Sequence, residues 1–114
     1  MRIGELAGAT GVGVRLLRYY EEQGLLVPRR TPGGHRVYAG DAPLTVRRIR
    51  MLLEAGLPTR VIREVLPCIE GDGMVVHPCV SGQLREQLRE MDRRMAEMRA
   101  SRGSLAAILA AAGD

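Results

Sequence analysis

Residues Thr10 to Tyr38 read TGVGVRLLRYYEEQGLLVPRRTPGGHRVY. Within them, Val14 to Gln23 has helical spacing: Val14, Leu17 and Tyr20 recur every third residue on one side. Arg15, Arg18 and Tyr19 share much of the opposite side. Gly24 supplies a stop, because glycine takes the left-handed backbone just past a helix end without a Cβ penalty. Pro28 ends any helix, and Pro32-Gly33-Gly34 carries the chemistry of a tight turn before Val37 and Tyr38, which favour a strand. The stretch predicts a short helix bearing arginine and tyrosine, then a hairpin over Pro28 to Tyr38 decorated by Arg29, Arg30, His35 and Arg36.

Upstream, Ile3, Leu6 and Ala7 give one apolar stripe, so a first helix is expected over about Gly4 to Ala9, broken by Thr10-Gly11. Two short helices joined by a tight glycine-containing turn make a helix-turn-helix, whose second helix enters the major groove of duplex DNA. A basic hairpin directly after it is a wing, suited to the adjacent sugar-phosphate backbone. Downstream, Asp41 can cap a third helix with Pro43 in its first turn. Leu44, Ile49, Leu52 and Leu53 give that helix its inner face. A fourth helix is expected from Thr59 to Leu66, ended by Pro67, and its start presents Arg60 and Arg63 as a second basic wing.

Composition agrees with a small helical head. The 114 residues contain neither Phe nor Trp, so the core must come from Leu, Val, Ile, Ala and Met. The net charge of +4 is uneven: Met1 to Glu70 holds 11 Arg against 7 acidic residues, whereas Gly71 to Asp114 holds 6 against 6. The positive excess sits where contact with phosphates is expected. No pair of catalytic carboxylates, Ser/His/Asp arrangement or phosphate loop stands out, and GVGVRLLR lacks the lysine and spacing of a nucleotide-binding loop. A non-enzyme is therefore expected. Neither a signal peptide nor a membrane-spanning run is visible, and two cysteines are too few for a disulfide scaffold. A cytoplasmic protein with no membrane partner is the default expectation.

The chain divides by pattern into a DNA-binding head at 1–69, a connector at 70–78 and a helix at 79–114. In the last segment Leu84, Leu88, Met91, Met95, Met98, Arg102, Leu105 and Leu109 alternate four and three apart. That is a heptad seam, with only Arg102 polar, flanked by charged residues. Such a narrow stripe needs a partner helix, most simply from a second copy of the chain. The dimerisation residues are Leu84, Leu88, Met91, Met95, Met98 and Leu105. Gly103-Ser104 is a point where the helix could break, leaving a short terminal segment.

With these pieces in place the chain resembles the MerR family of bacterial transcription regulators. The resemblance rests on Ile3-Gly4-Glu5-Leu6-Ala7, Thr10-Gly11-Val12, RLLRYYEEQGLL from Arg15, and the wing GGHRVY. It is close over residues 1 to about 66, and by pattern only over the long helix. Gly13, Leu16 and His35 depart from the usual Ser, Thr and Tyr. The resemblance implies a mainly α fold: a winged helix-turn-helix head with a small β-hairpin wing, then a long helix forming an antiparallel coiled coil. It also implies a homodimer on a palindromic promoter whose elements lie too far apart. The dimer would bend and undertwist double-stranded DNA so that RNA polymerase can use it, at a deformation cost on the order of 1–6 kcal/mol. On this reading Arg15 and Arg18 face base edges or nearby phosphates, and Tyr19 offers its hydroxyl to a phosphate. Arg36 and Tyr38 clamp the backbone from the wing, helped by Arg30 and Arg60.

The effector is not legible. Cys79 resembles the first ligand of metal-sensing relatives, but the terminal GSLAAILAAAGD lacks the remaining ligands. Cys68, His77 and Cys79 could hold a metal ion, form a reversible redox pair, or be inert thiols with no cofactor at all. Two further functional classes stand beside the effector-controlled regulator. One is an architectural or excisionase-like DNA-binding protein with no effector; the other is a coiled-coil adaptor or thiol-based metal-binding protein.

Overall fold

The first helix, α1 (Ile3–Thr10), crosses α2 (Val14–Glu22) through a turn at Gly11 to Gly13 in the computed structural model, which describes residues 1–71 and 75–114. The turn is pinned by Thr10, whose hydroxyl donates to the Leu6 carbonyl (2.8 Å) and accepts the Val12 N–H (3.2 Å). Gly13 occupies the cap position of α2 with extended backbone and no side chain to offer, as the departure from Ser anticipates. Strands β1 (Arg29–Arg30) and β2 (Arg36–Val37) follow, antiparallel, with Arg29 opposite Val37 and Arg30 opposite Arg36. Then come α3 (Ala42–Glu54) and α4 (Thr59–Val65), a 3₁₀ turn at Leu66–Cys68, and strands β3 (Ile69–Glu70) and β4 (Val75–Val76). The last element, α5 (Pro78–Ala111), is 34 residues long. Two compact units result, Met1–His77 and Pro78–Asp114.

The core of the first unit is aliphatic. Helix α1 packs on α2 and α3, and α3 packs on α4. Leu6, Leu17, Ile49, Val61, Ile62 and Val65 are completely buried at this junction. Burying each such side chain stabilises the fold by about 1.5–3 kcal/mol against the entropy of ordering it. The inner face of α2 is Leu17 and Tyr20, three residues apart, which leaves Arg15, Arg18 and Tyr19 outward as the spacing predicts.

Several expectations are corrected. Asp41 stands at the cap of α3, but its side chain makes no capping bond; its carbonyl accepts from Leu44 and Thr45 instead. The inner face of α3 is Ala42, Val46, Ile49 and Leu52, with Leu44 and Leu53 only half-buried. Arg63 is no wing. Its Nε donates to the Gln23 carbonyl (2.9 Å), tying α4 to the end of α2. Gly24 makes this approach possible: it has φ +73, and an added Cβ would come 3.2 Å from the Arg63 Nε.

The segment expected as a connector holds a second antiparallel hairpin, with Ile69 opposite Val76 and Glu70 opposite Val75. Ile69 anchors it in the core, and Arg48 of α3 donates to the Ile69 carbonyl (3.4 Å) and to that of Gly71. The expected connector also includes residues 72–74, which lie outside the described residues. Helix α5 runs through Gly103-Ser104 without a break, because an isolated glycine costs a helix interior only about 1 kcal/mol. Exposed pairs three residues apart, Arg89 with Glu86 (2.6 Å) and Arg93 with Glu90, line its surface. Among the described residues, none of α5 is buried.

Candidate nucleic-acid interface

The outward face of α2 carries Arg15, Arg18, Tyr19 and Glu22, spaced so that all four fall on one side of the helix. With Val14 they line a shallow depression. Arg15 and Arg18 are exposed and Tyr19 is 44% exposed, so the face is open to a partner. Tyr20 points the other way, into the core at 2% exposure, and burial raises its hydroxyl pKa.

The wing is built by its turn. The Gly34 N–H donates to the Thr31 carbonyl (2.9 Å), the Thr31 N–H to the His35 carbonyl (2.8 Å), and the His35 N–H to the Thr31 hydroxyl (3.2 Å). Gly34 has φ +82, a conformation that side-chain-bearing residues rarely adopt. At the base of the hairpin, Met1 and Tyr38 exchange two backbone hydrogen bonds of 2.6 Å, joining the wing to the residues just ahead of α1.

A carboxylate joins wing to recognition helix. Glu21 of α2 accepts the Tyr38 hydroxyl on Oε2 (3.0 Å) and pairs with Arg36 Nη1 through Oε1 (3.1 Å). The Glu21 side chain is only 14% exposed, whereas that of Arg36 is 53% exposed, so the tie faces inward and the guanidinium outward. Burial raises the Tyr38 pKa first, and the hydrogen bond and negative charge of Glu21 raise it further. The hydroxyl is thereby held as a donor.

Of the residues expected to meet DNA, Arg18, Arg30 and Arg36 converge on one open cleft, lined also by Arg2, Ile3, Gly34, His35 and Tyr38. Arg30 Nη1 reaches the Gly34 carbonyl at 3.4 Å. Arg15 and Tyr19 lie on the neighbouring face of α2, and Arg60 is exposed on α4, lining neither depression. Tyr38 is placed differently from expectation. It is 3% exposed and its hydroxyl is engaged by Glu21, so it braces the wing rather than clamping a backbone. Sequence reading passed over Glu21 and Arg2. Glu21 had a signal in the acidic pair closing an arginine-tyrosine helix, and Arg2 in a cation just before the first helical residue.

Cys68 lines neither depression of the head. Cys68 is half-buried at the end of the 3₁₀ turn, where its carbonyl accepts the His77 N–H (2.9 Å), and Cys79 is exposed in the first turn of α5. Among the described residues no three His, Cys, Asp or Glu side chains are grouped so as to hold a metal ion. Among the same residues, no helix is long and apolar enough to cross a membrane.

Comparison with known proteins places this architecture. The nodulation protein NolA of Bradyrhizobium sp. (strain NC92) is 52% identical over 66 residues, which cover 57% of this chain and 28% of NolA. The chain thus spans less than a third of that relative. The HTH-type transcriptional regulator ZntR of Escherichia coli (strain K12) is 34% identical over 108 residues, covering 91% of this chain and 74% of ZntR. Among solved structures, the transcription regulator PbrR691 from Ralstonia metallidurans CH34, in complex with lead(II), superposes with a TM-score of 0.75 at 28% identity. That alignment covers 92% of this chain and 82% of PbrR691. Residues 1–68 match the family of MerR HTH regulatory proteins, and with a relative such as ZntR sharing most of its length, the chain belongs to that family.

Proposed function

We propose that the chain is a DNA-binding transcription regulator. It acts as a homodimer on a palindromic promoter site and distorts the DNA to control initiation by RNA polymerase. The observation that carries this reading is the convergence of Arg18, Arg30 and Arg36, from recognition helix and wing, on one cleft beside the open face of α2. Arg15 and Arg18 are the candidate readers of base edges, since arginine can pair bidentately with guanine for roughly 1–3 kcal/mol of discrimination. Tyr19, Arg30, Arg36 and Arg60 serve as backbone contacts, which fix register without reading sequence.

The exposed apolar residues of α5 support dimerisation through that helix. Leu88, Met95, Met98 and Leu105 of the heptad seam are 53–70% exposed within one chain, and a partner helix would cover them. With two heads held at fixed separation, the protein contacts both half-sites of a palindrome. Deforming the intervening base pairs costs on the order of 1–6 kcal/mol, an amount that a bound effector can shift by favouring one dimer geometry.

PbrR691 was solved with lead(II). In this chain Cys68, His77 and Cys79 are the candidate metal or redox groups.

The decisive experiment selects duplexes from a random pool with the full chain and measures affinity for the winner against a scrambled duplex. Arg18→Ala is expected to lower affinity for the selected duplex by roughly 5–150-fold and narrow its margin over the scrambled one. A Cys68/Cys79 double replacement is expected to leave both affinities unchanged. Normal operator binding by the Arg18 variant would overturn the assignment of α2.

A further inference from the structure

The cleft between the start of α1 and the wing gathers four arginines, of which Arg36 is paired with Glu21. Arg30 and Arg36 are directly opposite each other across the β1–β2 pair, an arrangement of like charges that is destabilising by itself. Arg18 enters from α2 and Arg2 from the residue preceding α1. Arg36 is paired with Glu21, and Arg30 has a single long hydrogen bond to a carbonyl. Among the described residues, the guanidinium groups of Arg2 and Arg18 form no ion pair. Each guanidinium has five N–H donors, so Arg36 can keep Glu21 and still present donors to the cleft.

We propose that Arg2, Arg30 and Arg36 seat one phosphodiester of duplex DNA in this cleft, with Arg18 at its edge left to reach the bases, and that Arg2 is a direct contact to the phosphate. The inference rests on the DNA-binding reading above and adds a residue and a site to it. Glu21 is the positioning residue. Its inward-facing carboxylate fixes Arg36, and through Tyr38 the base of the wing, so that the guanidinium faces the cleft before DNA arrives. The backbone exchange between Met1 and Tyr38 places Arg2 next to the same strand. A phosphate is the fitting occupant because it offers several charged acceptors to donors coming from three elements. Because the contact is to the backbone, it carries no sequence information.

The test compares the full chain with Arg2→Gln and Arg2→Lys, using the pool-selected duplex and a scrambled one over a salt series. Arg2 is exposed, so each variant is expected to retain its helices, which circular dichroism checks. Arg2→Gln is expected to weaken both duplexes alike, by about tenfold. It is also expected to lower the slope of log affinity against log salt by roughly one per head. Arg2→Lys restores the slope, because the charge is kept. If the full chain binds and Arg2→Gln shows an unchanged slope, the phosphate seat is wrong while the DNA-binding reading stands. If Arg2→Gln weakens only the selected duplex, Arg2 reads bases and the seat is again wrong. If the full chain binds neither duplex, both readings fall. Inorganic phosphate, tested against chloride at equal ionic strength, is expected to compete only weakly. Competition at micromolar phosphate would reassign the cleft to a free anion.

Discussion

The head and the long helix dispose of their apolar residues in opposite ways. Among the described residues every buried apolar side chain lies between Leu6 and Ile69, whereas α5 buries none, although it carries leucine and methionine at regular heptad spacing. The difference lies in the width of the apolar surface. Helices α1 to α4 are short and cover their stripes against one another, so a core forms within one chain. Helix α5 has a narrow seam along 34 residues and charged flanks, the pattern of a helix that pairs with another helix. Charge divides the same way, with the positive excess in the head and balance beyond Gly71. The head carries the charge that suits a polyanion, and under the proposed function the helix meets a second copy of itself.

The strongest challenge to this contrast is a pair of matched truncations. Leu17→Ala, in the head core, is expected to cost about 2–5 kcal/mol of stability in a denaturant melt, as cavity-forming leucine truncations do. Leu105→Ala, on the exposed seam, is expected to leave the head's transition in place and weaken only association between chains. Equal losses in the head's own transition would dissolve the distinction between the two regions.

A sharper probe addresses the brace between wing and recognition helix. Tyr38→Phe removes the hydroxyl donated to Glu21 and is expected to cost about 1.5 kcal/mol, the scale of a hydrogen bond to a charged group. The Tyr38 pKa is raised in the folded state, so the bond contributes fully below the ordinary value of 10.0 and is lost as pH rises through the higher folded value. The stability gap between wild type and Tyr38→Phe is therefore expected to be flat from pH 6 to about 9 and to close in strong alkali. A gap that instead opened with rising pH would contradict the Glu21 contact.

The smallest effect is expected on the surface of α5. Arg89 holds the Glu86 carboxyl below its usual range, so the pair is kept at neutral pH and lost as acid protonates it. Both side chains are well exposed, and Glu86→Gln is expected to leave the melting temperature unchanged within error at physiological salt. A clear drop would mean that this flank of α5 is buried in the assembly.

Much of the head was legible because its punctuation is local. Gly11, Gly24 and the Pro32-Gly33-Gly34 turn mark where backbone must change direction, and Leu6, Leu17 and Tyr20 fall inward by helical spacing alone. What escaped the sequence depends on partners far along the chain. Tyr38 looked like a free hydroxyl on a wing; Glu21, seventeen residues earlier, captures it. The tether of Arg63 escaped because nothing nearby in sequence announces the Gln23 carbonyl, forty residues away. The β3–β4 hairpin escaped for a related reason: two-residue strands carry no readable alternation, and Ile69 and Arg48 supply its anchorage. In the candidate site, the recognition-helix arginines were visible by spacing. Arg2 and Glu21 become meaningful only when the wing folds back onto α1 and α2.

The central claim is that α5 pairs two copies of the chain and so sets two heads on one duplex. Sedimentation equilibrium at micromolar concentration tests it most directly, run on the full chain and on a Met95→Glu/Met98→Glu variant. The account predicts twice the 12.5 kDa subunit mass for the full chain and a single subunit for the variant, with the head's helical signal retained in both. A mass of one subunit for the full chain, while it still binds a palindromic duplex tightly, would contradict it.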